Sequence, residues 1–378
     1  MLSAMRPVIL ILCFMACLAS AQAQAPPRKA EPDALLKEAI DAQQRGDYDK
    51  AVRDYRELLK LRPSEVEARV NLGAALVHLG QYDAGIAEYR AALPLLSEKN
   101  AVLMNIALAF YKKGDFLNAR AQFEALHKAL PADVRIAILL GDTYLRLRDY
   151  AAAQAMLTPM EPANAQNPDF EYVLGSVLIA VGQRREGVSR MEKVAVAGQS
   201  ADAYMIAGTT LLQINEFEQA RRDLDAALRL NSNLPGIYTL AGTARDKTGD
   251  VKEAEPAFRS ALKQNPDDFD ANLYLGAILY KRRELGEAKT YLDKAVRLQP
   301  SSAMARYEMA MLKSASQNYD GAALDLEGVI KDHPRWLEPH VELASLYYRL
   351  HRPADGAKER QIVEQLTAEQ QTQGPEKP

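Results

Sequence analysis

Apolar residues recur along the chain with the spacing expected of amphipathic α-helices. Leu72, Leu76 and Leu79 mark one apolar face, and Ile86 and Tyr89 mark a second face after a short polar break. Spacings of three, four and seven residues place side chains on the same side of a helix. The pattern therefore predicts pairs of helices joined by short turns, and it predicts no strand.

This helix pair recurs every 34 residues along nearly the whole chain. One repeat is 33 residues long, and the register needs no other correction. The repeats begin at Pro32, Val66, Asn100, Val134, Pro168, Ala201, Pro235, Phe269, Ala303 and Leu337. Since one helix pair cannot bury both of its apolar faces alone, we expect the repeats to stack on one another.

Two positions within the repeat always hold a small residue. Position 8 is Gly or Ala in all ten repeats, and so is position 20. Gly175 and Gly187 form one such pair. Only Gly or Ala lets two helix backbones approach closely, so we expect the helices of each repeat to cross at these positions.

Further residues mark the ends of the helices. Five repeats carry glycine in the turn between the helices, where a left-handed conformation is common. An aromatic residue follows the turn in six repeats, and a proline follows the second helix in five. The stretch 159–167 is rich in Pro and Asn, which predicts an early end to the second helix of the fourth repeat. The other five repeats replace the turn glycine with Arg148, Asn215, Arg283, Gln317 and His351.

Together these features resemble the tetratricopeptide repeat, which has 34 residues, a small residue in each helix, an aromatic after the turn and a closing proline. The resemblance covers residues 32 to about 369. It implies an all-α fold, a right-handed superhelical α-solenoid in which ten helix-turn-helix repeats form one body. The charged last helix suits a cap that faces water, and we expect residues 370–378 to be a disordered tail.

The first 21 residues have the features of a secretory signal peptide. Residues 1–6 carry one positive charge, residues 8–18 are apolar, and Ala-Ser-Ala at 19–21 is a small-x-small cleavage site. Residues 22–31 are interpreted as a linker. We therefore expect an exported protein, periplasmic or extracellular, without an integral membrane span after cleavage. Lipid anchoring at Cys17 is the less favoured alternative, because only the small residue before it matches a lipobox.

Composition narrows the range of functions. The chain has 47 Lys and Arg residues against 50 Asp and Glu residues, a formal charge of −3. This balance argues against nucleic-acid binding, which requires concentrated basic residues. Both cysteines, Cys13 and Cys17, lie within the expected signal peptide, so the exported form would have no disulfide, thiolate metal site or catalytic thiol.

The resemblance implies a binding surface on the concave face, which is built mainly from the first helices. We expect positions 5, 9 and 12 of the repeat to face inward and to hold a segment of a partner protein or peptide. These positions are largely apolar and aromatic, and they include methionines, which suit adaptable grooves. With two asparagines at position 6, the candidate partner-binding residues are Asn71, Met104, Asn105, Leu108, Tyr111, Ile138, Tyr172, Met205, Tyr280, Tyr307, Met311 and Tyr348. The alternative is that several of them are core residues, covered by the superhelix itself or by a second copy of the chain.

Two known binding modes of the family can be compared with these positions. Position 5 never holds Lys and position 9 never holds Asn, so the clamp that binds a C-terminal carboxylate in the chaperone-binding subgroup is not expected. Asn71 and Asn105 match the asparagine ladder of the glycosyltransferase subgroup. Apolar residues replace asparagine in the repeats that follow, which favours incidental polar surface over a ladder.

No arrangement of residues predicts catalysis. The five histidines form no close metal-binding pair, and the chain has no glycine-rich phosphate loop and no GxSxG. We therefore expect no catalytic residue, cofactor or metal site. The single tryptophan, Trp336, lies at the entry to the last repeat and is interpreted as a packing residue.

The sequence thus favours an exported, non-enzymatic scaffold that binds a partner segment in its groove. An alternative is an accessory subunit of an envelope secretion or assembly machine, or of an enzyme complex. Such a subunit would be constitutively complexed, and in isolation its apolar surface would favour self-association. A weaker alternative, that the chain itself binds or hydrolyses a glycan or peptide, would need carboxylates and aromatics to converge in one pocket.

Overall fold

The computed structural model describes residues 31–373, with side chains up to Glu369. Every regular element in this range is a helix, which confirms the all-α prediction. The expected signal peptide, Cys17 and all but the last residue of the expected linker lie outside the described residues. Within them, no helix combines the length and the apolar character needed to cross a bilayer.

The chain divides into two compact units, Met1–Gln122 and Phe123–Pro378, and the division falls inside a helix. The described helices up to that point are α1 (Pro32–Gln44), α2 (Tyr48–Leu61), α3 (Val66–His78), α4 (Tyr82–Ala92), α5 (Asn100–Lys113) and α6 (Phe116–Ala129). The second unit continues with α7 (Val134–Arg146), α8 (Tyr150–Leu157), α9 (Glu161–Asn164), α10 (Pro168–Ala180), α11 (Arg184–Gly198), α12 (Ala201–Gln213), α13 (Phe217–Leu230), α14 (Ile237–Lys247), α15 (Val251–Gln264), α16 (Phe269–Lys281), α17 (Leu285–Leu298), α18 (Ala303–Ala315), α19 (Tyr319–Asp332), α20 (Leu337–Arg349) and α21 (Pro353–Gln373).

Helix boundaries follow the repeat register closely. Nine of the ten first helices begin at the residue that opens the repeat. The exception is α14, which begins at Ile237, because Gly236 just before it adopts a left-handed conformation with φ of 76°. All ten second helices begin at the position after the turn, whether or not that position is aromatic. The last helix, α21, continues into the expected tail as far as Gln373, since no helix breaker precedes Gly374.

The second helix of the fourth repeat ends early, as predicted. Helix α8 stops at Leu157 and gives way to a 3₁₀ turn, Thr158–Met160, which contains Pro159. The short helix α9 follows. This segment is tied to α11, because the Lys193 ammonium donates to the Ala165 carbonyl over 2.7 Å.

Small residues allow the paired helices to cross at close range. A Cβ atom built on Gly187 of α11 would lie 2.7 Å from the carbonyl oxygen of Gly175 on α10 and 2.9 Å from the backbone nitrogen of Ile179. Real Cβ atoms do not approach backbone this closely. Positions 8 and 20 of the repeat are therefore the point where the two backbones meet, as expected.

The turns between the helices keep one conformation in every repeat. Five use glycine, and Gly182, for example, has φ of 90°. The five substituted turns keep the same left-handed backbone without glycine, at a cost in strain of about 1–2 kcal/mol per residue. They are Arg148, Asn215, Arg283, Gln317 and His351, with φ between 57° and 67°.

Within each unit the first helices contact one another as well as their own partners. In the first unit α3 contacts α1 and α5, and in the second unit α14 contacts α12 and α16, which in turn contacts α18. Within each unit, the sides of these helices that do not pack against the second helices therefore form a shared surface, called here the first-helix face of that unit. It consists of positions 5, 6, 9 and 12 of the first helices.

The helix crossing gives a test of the fold. Gly187→Ala places a methyl group against the backbone of α10, so we expect a loss of about 1–3 kcal/mol in the free energy of unfolding. Gly286→Ala is the matched control, since a Cβ there meets nothing within 4 Å and α17 should gain up to about 1 kcal/mol. Urea unfolding followed by circular dichroism measures both. Equal effects of the two substitutions would contradict the crossing.

Candidate functional site

The candidate residues of the first unit lie half-buried on α3 and α5. They are Asn71, Met104, Asn105, Leu108 and Tyr111. The Tyr111 ring packs edge-on against Phe116, with ring centroids 5.4 Å apart. The Tyr55 phenol donates a hydrogen bond to Gln43 over 2.9 Å. Burial raises the pKa of this phenol, and the Asn71 side chain partly offsets the rise.

Three candidates of the second unit are half-buried on helices α7, α10 and α12. They are Ile138, Tyr172 and Met205. Tyr172 and Met205 pack against the core that α11 to α14 enclose. Burial raises the pKa of the Tyr172 phenol, and the carboxylates of Asp202 and Asp142 raise it further. These residues remain partly open to solvent, so they belong both to the core edge and to the first-helix face.

Three of the four remaining candidates come together near the C-terminal end of the second unit. Tyr280, Tyr307 and Met311 line one cavity of about 400 Å³. The other residues lining this C-terminal cavity are Asp246 and Lys247 from α14, Leu273, Tyr274, Ala277, Ile278 and Lys281 from α16, Met304 and Glu308 from α18, and Trp336 and Glu338 at the start of α20. Three successive first helices and the entry to a fourth thus build one site.

One wall of the C-terminal cavity is aromatic. The rings of Tyr307 and Trp336 lie with centroids 5.0 Å apart at an angle of 46°. Trp336 is only 3% exposed and packs with Ala303 and Val329, which agrees with its interpretation as a packing residue. Its indole Nε1 is buried and has no hydrogen-bond acceptor among the described residues. Trp336 is therefore part of the core and also lines the cavity.

Carboxylates surround the tyrosines of this cavity. Burial raises the pKa of Tyr307, and the carboxylates of Glu342, Glu308 and Glu338 raise it further. Burial together with Glu342 and Glu308 also raises the pKa of Tyr280. A negative charge nearby disfavours the phenolate, so these carboxylates add to the effect of burial.

Two of these carboxylates lack a direct partner. Glu308 and Glu342 are half-buried, and neither makes a hydrogen bond or an ion pair with the described residues. Burial raises the pKa of both carboxyl groups; Lys281 partly offsets this for Glu308, and Arg349 does so for Glu342. A half-buried carboxylate without a partner costs free energy of folding. Folding gains nothing from this cost, so the two carboxylates are candidate ligand-binding groups.

Tyr348 lies apart from this group. It is 38% exposed and lines a second, more open cavity between α20 and α21. The Arg360 guanidinium lies over its ring, 5.0 Å from the centroid, and Arg360 is itself exposed. An exposed arginine of the last helix therefore covers the Tyr348 ring.

The sequence pattern did not predict the two unpaired carboxylates at the C-terminal cavity and beside it. Glu308 and Glu342 occupy position 6 in consecutive repeats, the same position that holds Asn71 and Asn105. Extending the comparison of position 6 to the last two repeats would have found them. Among the residues with described side chains, no group of three or more His, Cys, Asp or Glu residues is arranged to hold a metal ion.

Family models match most of the repeat region. Models described as tetratricopeptide repeat match residues 36–99 and 239–303, residues 110–176, and residues 201–234. Together these matches cover more than half of the chain.

Curated relatives match over a few repeats. The chain is 23% identical over 150 residues to anaphase-promoting complex subunit 3 of Schizosaccharomyces pombe, covering 40% of this chain and 23% of that protein. It is 29% identical over 133 residues to tetratricopeptide repeat protein 13 of Homo sapiens, covering 34% of this chain and 16% of that protein. The chain therefore spans less than a quarter of the length of these relatives. Among solved structures, it is similar to the APC/C hetero-tetramer Cut9-Hcn1, with a TM-score of 0.49, 12% identity, and coverage of 90% of this chain and 88% of that one.

The raised pKa of Glu308 gives a pH test of the cavity. Because its folded pKa lies above the ordinary value, the folded state holds this proton more tightly than the unfolded chain. Stability from this group is therefore lost as pH rises through the raised pKa. Glu308→Gln removes the charge, so we expect a higher urea midpoint than wild type at pH 7 and no gain at pH 4. Each pKa unit is worth about 1.4 kcal/mol.

The control for this test is Glu253→Gln, at an exposed carboxylate on α15. Its midpoint should stay within about 0.5 kcal/mol of wild type at both pH values. A Glu308→Gln protein that is less stable than wild type at pH 7 would show that the carboxylate has a partner in the fold.

Proposed function

Because the chain belongs to the tetratricopeptide repeat family, we propose that it is a non-enzymatic scaffold that holds a segment of a partner protein on its first-helix face. The C-terminal cavity is the observation that carries this proposal. Three of the residues expected to bind a partner, Tyr280, Tyr307 and Met311, line it together. The cavity falls in the size range of known ligand pockets.

Rigidity supports the same function. The α16 wall of the cavity is buried on its opposite side, as the 0% exposure of Leu275 and Leu279 shows. Side chains held on packed helices are positioned before a ligand arrives. A partner segment therefore loses conformational entropy when it binds, whereas the scaffold loses little.

Aromatic and thioether groups supply the contact surface. Tyr280 and Tyr307 offer large apolar rings with few rotatable bonds, and Met304 and Met311 can adjust to the shape of what binds. The polar groups between them fix the orientation of the bound segment. Such a surface is able to hold one or two anchor residues of a partner, with further contacts along the first-helix face.

We further propose that the scaffold works outside the cytoplasm, since residues 1–21 have the features of a signal peptide. The export test is the N-terminal sequence of the protein recovered from fractionated cells. We expect a chain that begins at residue 22, recovered outside the cytoplasmic fraction. An intact chain beginning at Met1 in the cytoplasm would overturn this part of the proposal.

Partner capture can be tested by site-specific photo-crosslinking in cells. With a photoreactive amino acid at position 280 or 311, we expect recurrent adducts to one partner protein, identified by mass spectrometry. The matched control is position 324 on α19, where Leu324 is 68% exposed on a second helix and should give no such adduct.

The identity of the crosslinked protein and the position that captures it distinguish the proposed function from its alternatives. Adducts only to the same protein would indicate self-association instead of partner binding. Equal adducts from positions 311 and 324 would contradict a role for the first-helix face. A partner that stays bound in fixed stoichiometry through purification would identify the chain as a constitutive subunit of a larger complex.

A further inference from the structure

We propose that the C-terminal cavity is a pocket for the side chain of an arginine residue carried by the partner segment. This inference deepens the proposed function and rests on it. It names the chemistry of the anchor residue that the cavity selects. The charges at the cavity, its aromatic wall and an unsatisfied hydrogen-bond donor of a lining residue support it.

The charge of the cavity favours a cation. Glu308 lines it on α18, and Glu342, one turn into α20, acts on the same two tyrosines, Tyr280 and Tyr307. Neither carboxylate has a hydrogen-bonded or ion-paired partner among the described residues. Asp246 adds a third carboxylate, which lines the cavity and raises the pKa of Glu308. A bound guanidinium would supply the partner that these groups lack.

Two lysines also line the cavity, but they do not cancel its preference for a cation. Lys247 and Lys281 are both solvent-exposed, whereas Glu308, Glu342 and Asp246 are half-buried. The Lys247 ammonium lies 5.9 Å from the centroid of the Tyr274 ring. Exposed ammonium groups are screened by water and move with their flexible stems. The half-buried charges at the cavity are therefore negative, whereas the positive ones are exposed.

The aromatic wall favours a planar cation. The ring centroids of Tyr307 and Trp336 lie 5.0 Å apart at the cavity, and Tyr280 lines the same cavity. Ring faces attract cations, and a guanidinium both stacks on a ring and bonds to a carboxylate in two places. It is also more weakly hydrated than an ammonium. An arginine side chain thus matches the wall and the carboxylates at once.

A second observation points to a ligand. Trp336 is 3% exposed, lines the cavity, and leaves its indole Nε1 without an acceptor among the described residues. An unsatisfied buried donor costs about 1–3 kcal/mol. An arginine residue within a peptide brings carbonyl acceptors of its own. The donor and the carboxylates are thus polar groups of residues at or beside one cavity that the fold leaves without a partner.

The tryptophan also provides the measurement. Trp336 is the only tryptophan in the chain, so fluorescence excited at a wavelength that tyrosine does not absorb reports on the cavity. The probe is arginine blocked at both ends, N-acetyl-arginine methylamide, titrated into the exported form of the full chain. The matched control ligand is the citrulline derivative, which keeps the shape but carries no charge. We expect a saturable change with the arginine probe at millimolar concentrations and a response at least tenfold weaker with citrulline.

Variants assign the response to the carboxylates. The double variant Glu308→Gln and Glu342→Gln should weaken binding of the arginine probe at least tenfold, while Glu253→Gln should bind as wild type does. Binding should also weaken as salt is added, since it depends on charge. Circular dichroism checks that each variant is folded.

Each outcome bears on the proposal. Equal responses to arginine and citrulline, no response to either, or unchanged binding by the double variant would overturn it. Adducts to a partner segment without a basic residue, formed at position 311, would overturn the arginine pocket and leave the scaffold function standing. Arginine binding without any partner adduct would support the pocket and contradict the scaffold function.

Discussion

The structure depends on the close approach of two helices within each repeat. Where Gly187 meets Gly175, no side chain separates the backbones, and this contact fixes the distance and the angle at which the helices of the hairpin cross. Since every repeat has small residues at the same two positions, every hairpin presents its first helix in the same way. The first-helix face follows from that regularity. A side chain at a given position of one repeat lies beside its counterpart in the next.

This regularity explains how a site can be assembled from distant parts of the sequence. Tyr274, Glu308 and Glu342 all occupy position 6, in three successive repeats. Asp246 and Tyr280 share position 12. Stacking brings these positions together without any loop designed for binding. The cost is that polar residues at such positions have no neighbour within the repeat to satisfy them, as the carboxylates of the C-terminal cavity show. A solenoid can accept that cost at one end because its stability is a sum over many hairpins.

The fold could be predicted almost to the residue, and the site only in part. Helix starts such as Tyr48 and Val66 follow from a period that ten repeats impose together, so errors in one repeat are corrected by the others. Tyr280, Tyr307 and Met311 were found because apolar residues at inward positions conform to the repeat. Glu308 and Glu342 were missed because they depart from it, and their importance depends on which side chains face them across neighbouring helices. The two roles of Trp336 depend on the same three-dimensional neighbourhood, which no spacing in the sequence reveals.

The turns between the helices have a consequence for motion. Arg283, Gln317 and His351 hold the left-handed backbone in the last three hairpins. In the three hairpins from α10 to α15 it is held by Gly182, Asn215 and Gly249, and Gly and Asn adopt this conformation more readily than other residues. Strain at three successive turns therefore lowers the free energy of opening the last three hairpins relative to α10 to α15. In native-state hydrogen exchange, the amides of α16 to α21 would then form a cooperative group that opens before α10 to α15. Of the helices that line the C-terminal cavity, α16, α18 and α20 belong to this group and α14 does not, so a ligand that bridges the first three would slow exchange across three hairpins at once.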